Sequence, residues 1–217
     1  MQSAGSRIGS FVIALATALA IIALVIPFFL NPYWIAFEQG RAQATAWTGY
    51  GEEDLRVATD AILVDLVLGP PDFDVAVAGE PVLNERERGH MRDVRNVFIA
   101  FYVATGLMVA AAGVVVVRRR DAAAESSWRS VRSGALGLIV GLVLVGGFAF
   151  IAFDVLFELF HRIFFAGGSY TFDPATERLV QLFPFQFWQE TAIAVGAAAI
   201  VVAAIVAGLS QRRLRPR

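Results

Sequence analysis

The two histidines of the chain, His90 and His161, each lie beside carboxylates at helical spacing. Glu87 and Asp93 flank His90 at three residues on either side, and Glu158 precedes His161 by three residues. A carboxylate that accepts one ring N–H fixes the tautomer of a histidine and leaves the other nitrogen free to take or give a proton. We therefore predict a general acid–base pair, with these three carboxylates as its orienting residues.

Two arginines and one further carboxylate complete the candidate site. Asp154, Glu158 and His161 stand at i, i+4 and i+7, so that they share one face of a helix. Arg92 and Arg162 each lie close to a histidine, where a guanidinium could bind a carboxylate or polarise a carbonyl oxygen. We predict that these residues orient the histidines or stabilise charge.

Other chemistry is possible for the same residue types. Two histidines with nearby carboxylates could ligate zinc or iron, although short ligand spacings such as His-Glu-x-x-His are missing. The chain has no cysteine, which removes disulfides, thiolate ligands and a cysteine nucleophile. Each histidine could also be merely solvated or ion-paired at a membrane surface. Our expectation is an acid–base site without metal or cofactor.

Long apolar helices must position these residues. Hydrophobic residues make up 57% of the chain, charged residues 17%, and the mean hydropathy is +0.63, whereas soluble domains run at about 45–50% apolar and about 25% charged. Crossing a hydrocarbon core takes roughly 20 helical residues. Four uncharged runs reach this length, at residues 8–30, 96–117, 134–153 and 191–209. The sequence predicts an all-α membrane protein, residues 1–217 forming one membrane domain with four transmembrane helices.

The two histidines are predicted to lie at nearly the same height. His90 precedes the run 96–117 by six residues, about 9 Å along a helix, and His161 follows the run 134–153 by eight residues, about 12 Å. Both positions fall on the same side of the membrane, because one run lies between each histidine and the segment 118–133. We expect the two imidazoles to converge.

Arginine placement predicts the orientation of the helices. Cytoplasmic segments keep an excess of Arg and Lys, and arginines cluster in residues 118–133 and 210–217. Residues 31–95 and 154–190 are then extracytoplasmic loops that hold the site, and both termini are cytoplasmic. A formal net charge of -1 leaves no basic face for nucleic acid. Membrane lipids are the expected surroundings.

The outer loops carry recognisable element signals. Apolar spacing predicts an amphipathic helix near Leu55–Leu68, and alternation over 73–77 predicts a short strand. Asn84 followed three residues later by Glu87 has the spacing of a capping box, so one helix should run from Glu85 to Val117.

The second loop ends in a further pair of signals. Asp173 and Pro174 predict the N-cap and first residue of a short helix that Pro184 stops. Its aromatic residues fit membrane anchoring as readily as substrate binding.

At these motifs the sequence resembles the bacterial lipoprotein intramolecular transacylase family. The residues that carry the resemblance are Asn84–Val94, Phe160–Phe165, Tyr170–Pro174 and the stretch from Leu182 to Trp188. It implies transfer of one acyl chain within a diacylglyceryl-cysteine lipoprotein, from the glyceryl ester to the free α-amino group, giving the lyso-form. The two catalytic histidines of that family correspond to His90 and His161.

The resemblance also suggests how the substrate is held. We predict that substrate contacts come from the residues around the second histidine motif, namely Phe164, Phe165, Tyr170, Phe172 and Asp173. The predicted location is the outer leaflet of a bacterial plasma membrane, and the oligomeric state stays open. Two alternatives remain, a non-catalytic module that binds lipid or a partner, and a metal-dependent membrane hydrolase.

Overall fold

The computed structural model describes residues 4–119, 124–165 and 169–215. In chain order its helices are α1 (Ala4–Val25), α2 (Pro32–Arg41), α3 (Ala44–Thr48), α4 (Glu52–Val67), α5 (Glu85–Arg119), α6 (Ala124–Phe164), α7 (Arg178–Leu182) and α8 (Phe185–Leu214). A 3-10 turn at Ile26–Phe28 follows α1, and the short strands β1 (Ala76–Val77) and β2 (Glu80–Pro81) lie between α4 and α5.

Four of these helices, α1, α5, α6 and α8, are long and apolar enough to cross a membrane. α5, α6 and α8 contain the apolar runs 96–117, 134–153 and 191–209, and α1 covers most of the run 8–30. The predicted all-α membrane protein with four transmembrane helices and a small β element is therefore confirmed. α1 ends at Val25, short of residue 30, because Pro27 lacks the backbone N–H that would continue the helix. α5 and α6 extend past their runs, and these extensions carry the histidines.

The chain divides into two compact units. We call Met1–Ile26, Phe101–Phe150 and Ala194–Arg217 the spanning unit, and Pro27–Ala100 with Ile151–Ile193 the histidine unit. All candidate site residues belong to the histidine unit.

Small residues let helices of the spanning unit approach closely. A Cβ added to Gly134 of α6 would overlap the backbone oxygen of Ala14 in α1, so a larger residue does not fit there. Large apolar side chains such as Leu107 and Leu144 stay exposed. Such a division, with small residues at helix contacts and large ones outside, suits packing in lipid.

The histidine unit has its own apolar core. Phe73 and Leu182 are fully buried in it, and α4 turns Leu55, Ala58 and Ile62 inward. The amphipathic helix predicted at Leu55–Leu68 is therefore confirmed, beginning three residues earlier.

The strand predicted over 73–77 is largely wrong. Only Ala76 and Val77 pair, antiparallel to Glu80 and Pro81. Phe73 has φ 52°, which takes it out of the extended region, and its ring goes into the core. A two-residue turn with positive φ at Ala78 and Gly79 joins the strands.

α5 begins with the predicted capping box. The backbone N–H of Glu87 donates to Oδ1 of Asn84 at 3.0 Å, and the backbone N–H of Asn84 donates to Oε2 of Glu87 at 2.7 Å. The helix then continues from Glu85 to Arg119, as predicted for Glu85 to Val117.

α6 is interrupted where a straight helix was expected. Ala152 has φ -141° and ψ 54°, so a kink separates the apolar run from the segment that carries Asp154, Glu158 and His161. The boundary between the two units falls beside this kink, after Phe150.

The helix predicted from Asp173 begins later. Its first residue is Arg178, and Glu177 is the N-cap residue. Asp173 instead caps a turn, because its Oδ1 accepts the backbone N–H of Ala175 at 2.9 Å and its backbone oxygen accepts that of Glu177 at 2.9 Å. The stop at Pro184 is as predicted.

Candidate functional site

The two histidines lie together at the site. Their ring centroids are 6.0 Å apart and their planes differ by 21°, although 70 residues separate them in the chain. His90 comes from the extension of α5 and is 6% exposed, whereas His161 comes from the segment of α6 after the kink and is 8% exposed. The predicted convergence of the imidazoles is thus present in the histidine unit, and both rings can reach one bound group.

One ring nitrogen of His161 is held by the backbone. Its Nδ1 lies 2.7 Å from the backbone oxygen of Phe157, one helical turn earlier. Because a carbonyl oxygen only accepts, this contact requires hydrogen on Nδ1 and leaves Nε2 with a free lone pair. The aromatic ring of Phe157, with its centroid 4.2 Å away, and the ring of Tyr170 at 4.9 Å hold the imidazole plane.

His90 is held by aromatic packing instead. The ring of Phe165 meets it at 4.8 Å and the ring of Phe172 at 5.4 Å, both in edge-to-face geometry. Its Nδ1 is buried and has no hydrogen-bond partner among the described residues. The surroundings of His90 therefore fix where the ring lies without fixing its tautomer.

Burial makes the neutral form of both rings favourable. Desolvation, and then the neighbouring His161, lower the pKa of His90 from 6.5 to about 4. Desolvation also lowers the pKa of His161, but its hydrogen bond to Phe157 and the charge of Glu158 act in the opposite direction. Both residues lie outside the apolar runs 96–117 and 134–153. The pair is accordingly neutral near pH 7, with His161 the stronger base.

Glu87 does not orient His90 in the way its spacing suggests. Its carboxylate is 1% exposed and accepts the backbone N–H of Asn84, and its Oε1 accepts the backbone N–H of Leu179 at 2.6 Å. Both oxygens are therefore used by the backbone, and the carboxylate joins the start of α5 to α7. This is a structural role, in which Glu87 places the helix rather than the ring.

Glu158 makes no hydrogen bond to His161 among the described residues. Its Oε1 accepts from Nε of Arg162 at 2.7 Å and from the Tyr170 hydroxyl at 3.0 Å. Since the ring of Tyr170 packs on His161, the carboxylate orients the imidazole only through that tyrosine. Its charge is close enough to raise the pKa of His161.

The remaining charged candidates surround the pair. Arg92 donates to Oε1 of Glu85 at 2.6 Å, and Arg162 is bound to Glu158. Asp93 and Asp154 are exposed, and no hydrogen bond joins either of them to a histidine among the described residues. A charge-stabilising role for the two arginines stays a prediction.

Three of the predicted substrate-binding residues contact the histidines. Phe165 packs against both rings, Phe172 against His90 and Tyr170 against His161. Phe164 is exposed and stacks on Phe160 at 4.8 Å, and Asp173 is occupied by its turn. The aromatic residues thus form walls around the pair, which suits a lipid headgroup region more than a charged soluble substrate.

An ion pair between the exposed Arg86 and the buried Glu177, not foreseen in the sequence, supports one wall. Glu177 accepts Nη2 of Arg86 at 2.5 Å and the backbone N–H of Asp173 at 2.6 Å. The guanidinium of Arg86 lies 5.0 Å from the ring centroid of Phe172, which in turn packs on His90. Hydrogen bonds hold the pKa of Glu177 below its usual value although burial opposes them. The ion pair therefore stays charged and fixes Phe172.

The described residues contain no cluster of side chains that could bind a metal ion. Within 4–119, 124–165 and 169–215, three or more His, Asp or Glu side chains that could hold an ion do not come together. Glu87 is directed to backbone N–H groups, and Glu158 to Arg162 and Tyr170.

Comparisons with known proteins give one family. The sequence model of the family described as lipoprotein intramolecular transacylase Lit matches residues 8–188. An uncharacterized protein of Aquifex aeolicus is 27% identical over 115 residues, covering 52% of this chain and 49% of that protein, so the match spans about half of the relative's length.

Solved structures share the fold. The in meso structure of the membrane integral lipoprotein intramolecular transacylase Lit from Bacillus cereus gives a TM-score of 0.82 at 18% identity, over 98% of this chain and 97% of that one. A histidine-to-alanine variant of the same protein gives 0.76 at 17% identity, over 95% and 92% of the two chains.

Proposed function

The chain belongs to the lipoprotein intramolecular transacylase family, and from this premise we propose that His90 and His161 are its catalytic pair. The reaction moves an acyl chain from the glyceryl ester of a diacylglyceryl-cysteine lipoprotein to the α-amino group of the same molecule. The observation that carries the proposal is the stacking of two buried imidazoles, 6.0 Å apart, within aromatic walls.

His161 acts as the base. Its Nδ1–H is bound to the oxygen of Phe157, so Nε2 is the nitrogen free to accept a proton. Glu158 stabilises the imidazolium that forms, since its charge raises the pKa of this ring. A base must be neutral before the reaction and tolerate charge during it, and this environment provides both conditions.

His90 acts as the electrophile. With its pKa near 4 it stays neutral when His161 becomes charged, so it can donate a ring N–H to the carbonyl oxygen without losing its proton. Negative charge develops on that oxygen during attack, and a donor aimed at it in a dry site stabilises the transition state.

The proton balance closes within the pair. The bond between the amine nitrogen and the acyl carbon forms as the bond between that carbon and the glyceryl oxygen breaks. The proton that leaves the nitrogen goes to His161, and His161 then gives it to the departing glyceryl oxygen. Both reacting groups belong to one molecule, so the aromatic walls contribute mainly by holding them near each other at high effective concentration.

The active centre faces the extracytoplasmic side of a bacterial plasma membrane in this proposal. Support comes from the arginines clustered in residues 118–133 and 210–217, which are typical of cytoplasmic segments. Because the chain has no native cysteine, one introduced at Glu80 can be probed alone. Labelling by an impermeant thiol reagent only after the membrane is opened would contradict this orientation.

The test of the catalytic pair uses the full chain in lipid vesicles with a synthetic diacylglyceryl-cysteine lipopeptide. Transfer within one molecule leaves its mass unchanged, so fragment ions must locate the acyl chain. We expect His90→Gln and His161→Gln each to lower the rate by roughly 10²- to 10⁴-fold, the range of general acid–base catalysis. Glu80→Gln, at an exposed carboxylate of β2, serves as the matched control.

Two outcomes are decisive. Mixing two lipopeptides that differ in both peptide and acyl isotope should give no crossed product, because donor and acceptor are one molecule. Turnover close to wild type in either histidine variant would remove the pair from the reaction and leave its aromatic surroundings as a non-catalytic lipid site.

A further inference from the structure

An open cleft of about 420 Å³ borders the histidine pair within the histidine unit. Phe165 connects the cleft with the histidine pair, because it lines the cleft and its ring packs against His90 at 4.8 Å. The volume is within the range of about 300–1,000 Å³ that is typical of small-molecule sites. The cleft is therefore placed and sized to hold a group that reaches the histidines.

One face of α5 supplies a polar-to-apolar gradient along this cleft. Asp93, Val97 and Ala100 follow His90 at intervals of three or four residues, so they lie on one helix face. At 1.5 Å per residue, Asp93 is about 4.5 Å and Ala100 about 15 Å from His90 along the helix axis. Along α5, Asp93 thus lies nearer to His90 than Val97 and Ala100 do, and Asn96, Phe164 and Phe165 also line the cleft.

Two of the residues that line the cleft have unused hydrogen-bonding capacity. Oγ of Ser169 is buried without a hydrogen-bond partner among the described residues. Asp93 has no ion pair in the described part of the chain, since its neighbour Arg92 is bound to Glu85 and Arg95 donates to backbone oxygens. An exposed carboxylate and a buried hydroxyl thus line one cleft.

We propose that Asp93 binds the α-ammonium group of the N-terminal cysteine of the substrate, with the Ser169 hydroxyl as a second acceptor. This inference rests on the proposed function and names the group that orients the substrate. An α-amino group has an ordinary pKa of about 7.7–8.0, so it is mostly cationic at neutral pH, and charge-assisted hydrogen bonds to a carboxylate are among the strong ones. The acyl and glyceryl carbons then lie along Val97, Ala100 and Phe164.

Asp93 is a positioning residue in this scheme. The ammonium group loses its first proton to water, and the resulting amine stays hydrogen-bonded to Asp93 while it attacks the ester beside His90 and His161. The product nitrogen is a neutral amide, which the carboxylate no longer holds, so the site releases product. A lipoprotein that is already N-acylated is rejected for the same reason.

The test measures binding of a diether analogue of the lipopeptide, whose ether bonds cannot transfer an acyl chain. The full chain in detergent micelles is titrated with this probe bearing either a free or an N-acetylated amine. We expect wild type to prefer the free amine by roughly 10- to 100-fold, Asp93→Asn to bind both probes alike and Asp93→Glu to keep most of the preference. Glu80→Gln should behave as wild type.

The outcomes separate this inference from the function beneath it. An undiminished preference for the free amine in Asp93→Asn, with wild type still converting the ester substrate, overturns the inference alone. Wild-type protein that neither converts the ester nor binds the diether overturns both.

Discussion

His90 and His161 are the same residue type at adjoining places, yet their surroundings have almost nothing in common. His161 has a carbonyl oxygen on one nitrogen and a carboxylate nearby, both of which oppose the effect of burial on its pKa. His90 has the edges of Phe165 and Phe172 around it, a buried nitrogen without a partner and a pKa near 4. In the proposed mechanism these contacts, rather than the residue type, make one ring the proton carrier and the other the hydrogen-bond donor.

The contrast extends to the carboxylates. Glu87 and Glu158 each precede a histidine by three residues, so their local sequence relation is identical. Glu87 is buried and serves two backbone N–H groups, whereas the Glu158 side chain is 46% exposed and serves Arg162 and Tyr170. The first is part of the scaffold, and the second tunes the charge near the base.

The largest expected effect tests this scaffold role. Glu87→Ala leaves the N–H groups of Asn84 and Leu179 without their acceptor. Asn84 is exposed and its N–H can bind water, whereas an unsatisfied buried N–H such as that of Leu179 costs about 1–3 kcal/mol. We expect the free energy of unfolding to fall by about 1–3 kcal/mol, measured by denaturant titration in micelles. Glu158→Ala, which removes an exposed carboxylate, is the matched comparison, and equal losses in the two variants would break the contrast.

A smaller effect is expected from the ion pair behind His90. Glu177→Gln removes the charge that holds Arg86 against Phe172, so the aromatic wall of His90 becomes less well fixed. We expect kcat to fall about tenfold, because small misplacements at a reacting centre are costly, while the acid limb of the pH profile stays in place. Arg88→Gln, on the same helix but paired with Asp74, should retain wild-type kcat.

The smallest expected effect is a shift in the pH dependence that the pKa of His161 sets. The base must be neutral, so kcat/KM falls as the pH drops through the pKa of His161, which burial places below 6.5. Glu158→Gln removes a charge that raises this pKa, so the acid limb should move to lower pH. Tyr170→Phe removes the hydroxyl that donates to Glu158 but keeps the carboxylate, and its limb should not move. A shift to higher pH in Glu158→Gln would contradict the assignment of the base.

Local signals in the sequence predicted most of the fold. The four apolar runs, the capping box of Asn84 and Glu87 and the inward face of α4 depend on neighbours within a few residues, and all appear as expected. α2 was not predicted, although the sequence holds a signal for its start. Asn31 caps the helix and Pro32 is its first residue.

Contacts between distant segments decided what the sequence could not predict. Spacing made Glu87 a plausible partner of His90, but Leu179, 92 residues later, supplies the N–H that binds it. The strand at 73–77 failed because the core takes up Phe73. The Glu177 side chain, which precedes α7, is bound by Arg86, 91 residues earlier in the chain. The aromatic surroundings of the pair were suggested by the family motifs and not by any periodicity.

Because Nδ1 of His90 has no partner among the described residues, the fold does not fix the tautomer of this ring. Among the described residues nothing holds Nδ1, so either ring nitrogen can bear the hydrogen while the site is empty. A carbonyl oxygen arriving in front of the ring selects the tautomer that points N–H toward it. A bound ligand, and not the fold, therefore decides which tautomer of His90 is present.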